Sequence, residues 1–502
     1  LIHNVLIQLI FFNFTLMGEL KVLFLFTLLL LHNMKCSLIY TSFFLALPFF
    51  SVSAQQGAQE PKRPNIIIYL SDDQNSWDFQ TFGNTQVDTS HFDRLAREGM
   101  TFSNAYTAQA ICAPSRSQLF TGLFPMRNGC MANHLPVKNV TDINDYFNAI
   151  GYEVILAGKG HIKPSSVFNW THFYHTVKNR LLPINKVKKY IQDSSKPFCI
   201  IFASDLPHGP YPAQNDYVDK PLDYDPTAKN PNIKIARSKS GYYQNIADDN
   251  AQLGQVLSML ENLFVLDSSL FLYLSDHGLK GKWSVRETGL KVPMVARWPN
   301  RIKPKTQSNQ FVALVDILPT ILEIAGGSVP DDIDGISFLP ILEGKENKIR
   351  DYVYGIATRQ NIQSCYVFPS RSVRNQRYKY VRNFNSLEVV EQNLSSNQAV
   401  NAFIKRGAEA FPKVPFEELY DLEKDPFEHK NLIQNKEYAV IKNQLENQLI
   451  HWMTQQNDFL IDNKMPLLKP TLHPIDRISK WNKPPKALVG SLKKEDYLSL
   501  HY

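Results

Sequence analysis

The stretch Asn65-Ile66-Ile67-Ile68-Tyr69-Leu70-Ser71-Asp72-Asp73 decides the fold class of this chain. Its first six residues form a continuous apolar run, which is typical of a parallel strand buried on both faces, whereas a half-exposed strand would alternate apolar and polar residues. The run ends in Ser71 and two acidic residues. Because ligand sites of open α/β sheets lie beyond the carboxyl ends of the strands, the same stretch predicts where the functional site lies.

Apolar runs and amphipathic helical patterns alternate along the residues that follow. The run over 270–274 leads into Ser275-Asp276-His277-Gly278, a second polar strand end. This alternation predicts an α/β fold in which helices sandwich a mostly parallel sheet. The other predicted strands cover residues 155–157 and 198–203, and the predicted helices cover 92–99, 142–151, 242–263 and 315–326.

A polar stretch over residues 344–348 marks a boundary between two parts of the chain. We predict a catalytic domain over residues 55–344, a C-terminal α+β subdomain over 345–465 and a Pro- and Lys-rich tail over 466–502. Within the subdomain, two strand patterns and one helical pattern predict a small antiparallel sheet with a packed helix. These patterns lie at residues 378–381, 419–426 and 438–453.

The first 54 residues predict export. Met34 and Lys35 precede an apolar run over 38–50 and then Ser51-Val52-Ser53-Ala54, as in a signal peptide that is cleaved after Ala54. Residues 1–33 are interpreted as an upstream extension. A membrane anchor is the alternative, but each apolar run falls short of the ~20 residues that a spanning helix needs, so we expect no stable anchor. The protein is predicted to be periplasmic or secreted.

Charge and cysteine content set further limits on function. The net charge of +7 is diluted over 502 residues, which does not indicate a nucleic-acid partner. Of the five cysteines, Cys36 lies in the predicted signal peptide and Cys199 in an apolar strand. An odd number remains once Cys112 is assigned to the motif below, which argues against a disulfide framework. One bridge, between Cys130 and Cys365, is conceivable.

Residues 112–122, Cys-Ala-Pro-Ser-Arg-Ser-Gln-Leu-Phe-Thr-Gly, carry the strongest functional signal. Pro114 restricts the backbone, and Arg116 falls in the first turn of a short predicted helix that ends at Gly122. The unpaired N–H groups and positive dipole at a helix start favour an anion, so we expect a negatively charged substrate. Taken alone, Cys112 could equally be a buried structural cysteine.

These eleven residues resemble the type I sulfatase signature, Cys-x-Pro-Ser-Arg-x-x-Leu-x-Thr-Gly, at every defined position. The segment Gly-Tyr-Glu-Val-Ile-Leu-Ala-Gly-Lys-Gly-His over 151–161 is similar to a second signature of that family. The resemblance covers residues 64–452, and its C-terminal half is most similar to the sulfamidase (heparan N-sulfatase) branch. It implies an alkaline-phosphatase-like fold and the oxidation of Cys112 to formylglycine by a formylglycine-generating maturation enzyme. The aldehyde hydrate of formylglycine then supplies the nucleophilic oxygen.

Three carboxylates, those of Asp72, Asp73 and Asp276, would converge if their strands are neighbours. Oxygen ligands of this kind suit calcium or magnesium, although an Asp-Asp pair alone could be an ordinary turn. The resemblance implies that the three residues hold one Ca²⁺ together with the formylglycine at position 112. His277 is a further candidate ligand. The sulfamidase-like branch has Asn at that position, whereas iduronate-type sulfatases have His.

Four other residues are candidates for sulfate contact and proton transfer. Lys159 and His161 lie two residues apart on a segment predicted to be extended, so both would face the same side. The resemblance implies that His208 touches the ester oxygen and that Lys282 contacts the sulfate. It also implies that Arg116 and Lys159 hold the formylglycine hydrate, that His161 accepts a proton, and that His208 with Lys282 protonates the leaving group.

Substrate specificity is the least determined property. Four residues are candidates for contacts to a sugar because a guanidinium reads planar anions bidentately, although a solvated surface charge is the alternative for each. We predict a sulfatase that hydrolyses sulfate esters of a polysaccharide or oligosaccharide such as ulvan. An N-sulfoglucosamine sulfohydrolase on heparan-like glycosaminoglycan, a superfamily phosphatase or phosphonate hydrolase, and an inactive carbohydrate-binding protein stay open. The four candidates are His134, Arg359, Arg371 and Arg374.

Overall fold

The computed structural model describes residues 63–461, except 132, 134, 214–216, 218–238, 346–347, 358–369, 385–414 and 459, together with 467–468 and 497–498. The described residues belong to one compact unit, Lys62–Tyr502. The predicted extension and signal peptide, His134, Arg359 and Cys365 lie outside the described residues. Within the described part of the chain, no helix combines the length and apolarity needed to cross a bilayer.

The main sheet has eight strands in the order β10-β2-β9-β7-β1-β6-β4-β5, as numbered at the end of this paragraph. One strand, β9, runs antiparallel to both of its neighbours, and all other pairs are parallel. The mostly parallel sheet is therefore confirmed. The strands are β1 (Asn65–Asp72), β2 (Met100–Phe102), β3 (Ala105–Tyr106), β4 (Glu153–Gly158), β5 (His172–Tyr174), β6 (Phe198–Pro207), β7 (Ser269–Ser275), β8 (Lys291–Val292), β9 (Met294–Arg297), β10 (Thr306–Ser308), β11 (Val312–Ala313), β12 (Val353–Ala357), β13 (Ser370–Arg374), β14 (Tyr378–Asn383), β15 (Glu417–Asp421), β16 (Leu467–Leu468) and β17 (Tyr497–Leu498).

Helices cover both faces of this sheet, as the side chains of β1 show. Ile66, Ile68 and Leu70 pack against α2, α4 and α8 on one face, while Ile67 and Tyr69 pack against α1, α5 and α6 on the other. All five side chains are fully buried, as the continuous apolar run predicts. The helices are α1 (Ser90–Glu98), α2 (Cys112–Thr121), α3 (Pro125–Asn128), α4 (Ile143–Ala149), α5 (Ile184–Asp193), α6 (Lys239–Asn262), α7 (Glu287–Leu290), α8 (Ile317–Ile324), α9 (Leu339–Leu342) and α10 (Ala439–Gln455).

The pairing of β1 with β7 positions the predicted site. The two strands are parallel neighbours, and Ser71 lies opposite Ser275, so the acidic residues that follow each strand meet at one edge of the sheet. On the other side of β1, the strand β6 extends past the predicted end at residue 203 to Pro207, which pairs with Asp72 after a local irregularity in register. The carboxyl ends of three adjacent strands therefore surround Asp72.

The C-terminal sheet consists of β12, β13, β14 and β15 in that order, all antiparallel. One face packs on α10, where Tyr380 and Leu419 join a core cluster with Leu445 and Trp452. This arrangement confirms the predicted small antiparallel sheet with one helix. The boundary predicted after Gly344 falls between α9 and β12 and stays a prediction.

One buried carboxyl group joins helix α6 to the sheet. The hydroxyl of Tyr69 on β1 donates a hydrogen bond of 2.8 Å to Oδ1 of Asp249. Both residues are buried, and burial raises the pKa of Asp249 from its ordinary value of 3.8 to about 7. Ionisation of Asp249 in the folded protein therefore costs free energy that the unfolded chain does not pay.

We predict that Asp249→Asn stabilises the protein at alkaline pH. The pKa of Asp249 is raised in the folded protein, so its protonated carboxyl group stabilises the fold at low pH. This stabilisation is lost as the pH rises through about 4 to 7. At about 1.4 kcal/mol per pKa unit, the variant should gain up to ~4 kcal/mol at about pH 8. Urea unfolding across this pH range measures the effect, with Asp248→Asn on the exposed face of α6 as the control. Equal pH profiles for both variants would contradict the prediction.

Candidate active site

Helix α2 presents Cys112 at its amino-terminal end. The cap residue Ile111 is extended (φ −149°, ψ 137°), Cys112 is the first helical residue, and every residue of the helix is buried. Gly122 ends the helix with a left-handed φ of 65°, a conformation that glycine adopts without steric cost. The predicted short helix is confirmed, and it starts at the cysteine itself.

Three polar side chains from other elements surround the thiol of Cys112. Its Sγ lies 3.6 Å from Oδ1 of Asp72, 3.3 Å from Nε2 of His277 and 3.4 Å from Nζ of Lys282. Burial, reinforced by the negative charge of Asp72, raises the pKa of the thiol well above its usual value. The unmodified cysteine is therefore a neutral thiol at neutral pH.

Arg116, one turn along α2, joins the ends of β1 and β7. Its Nη2 lies 3.1 Å from Oδ2 of Asp72, and its Nε lies 3.1 Å from Oδ2 of Asp276. All three side chains have no exposed surface. Lys159 forms a further ion pair with Asp72. Burial alone would raise the pKa of Asp72, but Lys159 and Arg116 hold it well below its usual range.

The carboxylate of Asp73 is contacted by a second set of basic side chains. Nζ of Lys282 lies 2.8 Å and 2.9 Å from its two carboxylate oxygens, and Nε2 of His277 lies 3.1 Å from Oδ1. Nε2 of His208, at the end of β6, is 3.8 Å from Oδ2. Burial alone would lower the pKa of Lys282, but Asp73 raises it above its usual value, so Lys282 is a permanent cation.

The side chains present fit a hard divalent cation. Ligand atoms of Asp72, Cys112, Asp276 and His277 lie within 4.8 Å of one another, as do those of Asp72, Asp73 and His208. Buried carboxylate oxygens are the ligands that calcium prefers. The three carboxylates are balanced by the cations of Arg116, Lys159 and Lys282. A divalent ion would leave the cluster with a positive excess, which suits an anionic substrate. Nine of the ten predicted catalytic and metal residues lie in this cluster: Asp72, Asp73, Cys112, Arg116, Lys159, His208, Asp276, His277 and Lys282.

Contrary to the prediction, the segment that carries Lys159 and His161 is not extended at His161. Strand β4 ends at Gly158, which has a φ of 121°, and His161 has a φ of 50°. A Cβ on Gly158 would lie 2.0 Å from the carbonyl oxygen of Ala203 on β6, so glycine is required there. Since the backbone turns at both positions, strand alternation does not decide where His161 points, and its role stays a prediction.

The structure places Arg371 and Arg374 in buried ion pairs with carboxylates. Nε of Arg371 lies 2.5 Å from Asp458, and Nη1 of Arg374 lies 2.6 Å from Glu287. Arg371 has no exposed side-chain surface and Arg374 has 8%. Among the described contacts, neither guanidinium touches the cluster around Cys112. These pairs stabilise the packing of β13, so the structure corrects the expectation that the two side chains are open to a sugar.

Three residues next to the site were missed by sequence reasoning. Oδ1 of Asp205 lies 3.2 Å from Nζ of Lys159, and Arg180 pairs with the same carboxylate. The hydroxyl of Tyr242 donates to Oδ2 of Asp78 at 2.6 Å and lies 3.1 Å from the backbone oxygen of Asp73. Asp205 could have been predicted from the sequence, because it follows the apolar run of β6 as Asp72 follows that of β1. Arg180 and Tyr242 could not, since their partners are distant in sequence.

Comparisons with known proteins agree with this geometry. The family model described as Sulfatase matches residues 64–328, and the model described as N-sulphoglucosamine sulphohydrolase, C-terminal, matches residues 275–398. The chain belongs to the sulfatase family. It is therefore an enzyme that hydrolyses sulfate esters, and its large parallel sheet with a smaller C-terminal sheet is the alkaline-phosphatase-like fold of that family.

Two curated relatives cover most of the chain. An ulvan-active sulfatase from Formosa agariphila is 44% identical over 457 residues, which cover 88% of this chain and 91% of the relative. The human N-sulphoglucosamine sulphohydrolase is 24% identical, and the alignment covers 79% of this chain and 91% of the relative.

Solved structures confirm the fold. A 2-O GAG sulfatase superposes with a TM-score of 0.64 at 22% identity, covering 80% of this chain and 94% of that structure. The phosphonate monoester hydrolase of Agrobacterium radiobacter superposes with a TM-score of 0.62 at 19% identity, covering 78% and 96%. At this level of identity the likeness shows the fold alone.

We predict that Arg116→Met strongly destabilises the protein. The substitution keeps a long side chain but leaves Asp72 and Asp276 buried without their shared cation, a loss that costs about 3–5 kcal/mol. Lys189→Met is the control, because its ion pair with Asp193 is exposed and should contribute little to stability. Urea unfolding in the presence of a chelator measures both losses. Similar losses in the two variants would show that Arg116 does not hold the carboxylates together.

Proposed function

We propose that this sulfatase removes sulfate esters from a polysaccharide of the ulvan type, using a formylglycine at position 112 and one calcium ion. The observation that carries the proposal is the buried group of Cys112, Asp72, Asp276 and His277, with Lys282 directly beside the thiol. The 44% identity to a relative named for activity on ulvan supports the substrate class.

Cys112 occupies the position from which a nucleophile can act. Once oxidised by a maturation enzyme, its formylglycine hydrate supplies a hydroxyl that attacks sulfur, with no thiolate required. Lys282 is 3.4 Å from the thiol and carries a permanent charge, so it holds the sulfate against this residue. Lys159 and Arg116 add two more cations around Asp72. Electrostatic stabilisation by such fixed cations is usually the largest single contribution to catalysis.

His208 is suited to protonate the leaving oxygen. It follows β6 at the rim of the site, its side chain is 36% exposed, and Nε2 lies 3.8 Å from Asp73. Its Nδ1 lies 2.7 Å from the backbone oxygen of Gly209, and a proton on Nδ1 would be donated to that oxygen, which fixes the ring. A sugar alkoxide is a poor leaving group, so proton donation by a positioned histidine speeds its departure.

Asp72, Asp73, Asp276 and His277 would hold the calcium ion. When bound, the ion neutralises the charge that sulfate and nucleophile bring together. The fit rests on three buried carboxylates at the ends of β1 and β7, which lie close to the thiol of Cys112 and the ring of His277.

Two other substrates remain to be separated by experiment. The match over residues 275–398 to the C-terminal model of N-sulphoglucosamine sulphohydrolases favours an N-sulfate as the second candidate. A phosphonate hydrolase with the same fold makes phosphonate and phosphate esters the third. We also propose export through the signal peptide that ends at Ala54, so the mature protein would start at Gln55 in the periplasm or outside the cell.

We predict that Cys112→Ala abolishes sulfate release, because no aldehyde can form at that position. Sulfate released from ulvan oligosaccharides measures activity, and mass spectrometry of the peptide that contains residue 112 measures the modification. Cys199→Ala is the control, since Cys199 is also a buried free thiol but lies within β6. Mass spectrometry of the N-terminal peptide of the purified protein reports whether the mature chain begins at Gln55.

The substrate panel should include ulvan, N-sulfated heparan fragments and phosphate or phosphonate esters. Faster turnover of heparan fragments or of phosphorus esters than of ulvan would replace the proposed substrate. A wholly unmodified Cys112 in active enzyme from the native host would exclude the formylglycine mechanism.

We predict that calcium raises the thermal stability of the protein and that Asp72→Asn removes the effect. A ligand that binds only the folded state stabilises it, by about 2.7 kcal/mol at a hundredfold excess over Kd. Differential scanning fluorimetry of chelator-treated protein, with and without calcium, measures the change. Asp248→Asn should respond as the unaltered protein does. If calcium stabilises Asp72→Asn as much as the unaltered protein, the calcium site lies elsewhere.

A further inference from the structure

A strained turn lies beside the site. Within Lys178–Arg180, Asn179 has a φ of 62° and Arg180 a φ of 65°. Left-handed backbone is uncommon for residues other than glycine and costs free energy, so two such residues in succession persist only where surrounding contacts hold them. A backbone hydrogen bond of 2.9 Å from Val177 to Leu181 closes this turn, and the guanidinium of Arg180 ties it to the end of β6.

The guanidinium of Arg180 spans the segment that carries His208. Its Nε lies 2.6 Å from Oδ2 of Asp205, and its Nη2 donates a hydrogen bond of 2.7 Å to the backbone oxygen of His208. Nη2 also donates to the backbone oxygen of Asp205, and Nη1 donates to that of Pro210 at 3.5 Å. One planar group thus fixes both sides of His208.

The second oxygen of the Asp205 carboxylate reaches the site itself. Oδ1 lies 3.2 Å from Nζ of Lys159, and the same Nζ pairs with Asp72. Lys159 follows β4 and Asp205 lies on β6, so the carboxylate links the ends of two neighbouring strands. Arg180 neutralises Asp205 from the outer side, where its own side chain is 23% exposed.

We propose that Arg180 is a positioning residue for the reaction, which acts through the backbone of the segment that carries His208. The inference rests on the proposed role of His208 as the proton donor to the leaving oxygen. Arg180 touches neither the thiol nor the carboxylates around it among the described contacts, so its effect passes through the residues it orients. Arg180 lies outside both sulfatase signatures, which cover residues 112–122 and 151–161.

Loss of Arg180 should displace His208 more than it unfolds the protein. The backbone oxygen of His208 would keep its hydrogen bond of 3.1 Å from Asn245, so the segment stays attached but loses its rigid partner. A displacement of about 1 Å in a catalytic group is enough to lower a rate about a hundredfold. The loss should fall on the step that needs the proton.

Two substrates with different leaving groups isolate the protonation step. Kinetics of Arg180→Met, His208→Ala and the unaltered protein are compared on an ulvan oligosaccharide sulfate and on 4-nitrophenyl sulfate. A sugar alkoxide needs protonation to depart, whereas 4-nitrophenolate does not. We expect kcat of Arg180→Met to fall about a hundredfold on the saccharide and less than about fivefold on the aryl ester, with little change in KM. Lys178→Met, an exposed residue of the same turn, is the control and should retain full activity on both substrates.

Each outcome separates the inference from the proposed function. If His208→Ala shows the leaving-group dependence and Arg180→Met does not, Arg180 does not position His208. If Arg180→Met loses activity equally on both substrates, or mainly raises KM, the residue acts on folding or binds substrate, and the inference is wrong. If His208→Ala itself shows no leaving-group dependence, the proton-donor role in the proposed function is wrong. Urea unfolding of Arg180→Met identifies a loss caused only by instability.

Discussion

The ion pairs of Arg116 with Asp72 and Asp276 are the constraint on which the site depends. The ends of two parallel strands bring their carboxylates together in the interior, where like charges repel strongly and desolvation is costly. A guanidinium from helix α2 lies between them at 3.1 Å from each, with no water access to any of the three groups. The same helix begins with Cys112, so the residue that balances the carboxylates also fixes the position of the thiol relative to them.

The remaining charges extend this arrangement outward in two directions. On one side, Lys282 neutralises Asp73 and touches the thiol. On the other side, Lys159 lies between Asp72 and Asp205, and Arg180 covers Asp205. Each anion is therefore bounded by a cation that a different element supplies. Because the charges of the cluster nearly balance, a divalent ion adds the positive charge that an anionic ester needs.

Residues whose role depends on chain order were predictable, and residues whose role depends on distant partners were not. Asp72 and Asp276 could be assigned to one edge because parallel strands end at the same side of a sheet. Arg371 and Arg374 carry the same kind of charge as Arg116, yet they are buried against Asp458 and Glu287. Each partner lies 87 residues away from its arginine, and no local sequence pattern predicts the pairing. The backbone at His161 was not predictable for a similar reason, since its left-handed conformation follows the turn with which β4 ends against β6.

The sequence by itself determined the sheet class, the short helix that ends at Gly122, the sulfatase family and the identities of the acidic, basic and thiol groups of the site. These follow from local periodicity and from contiguous motifs, both of which are visible in the linear sequence. Only the tertiary structure decided which charges meet. Ion pairs such as Arg180 with Asp205 form between segments that are brought together by sheet pairing and core packing, and their strength depends on distance and burial rather than on spacing along the chain.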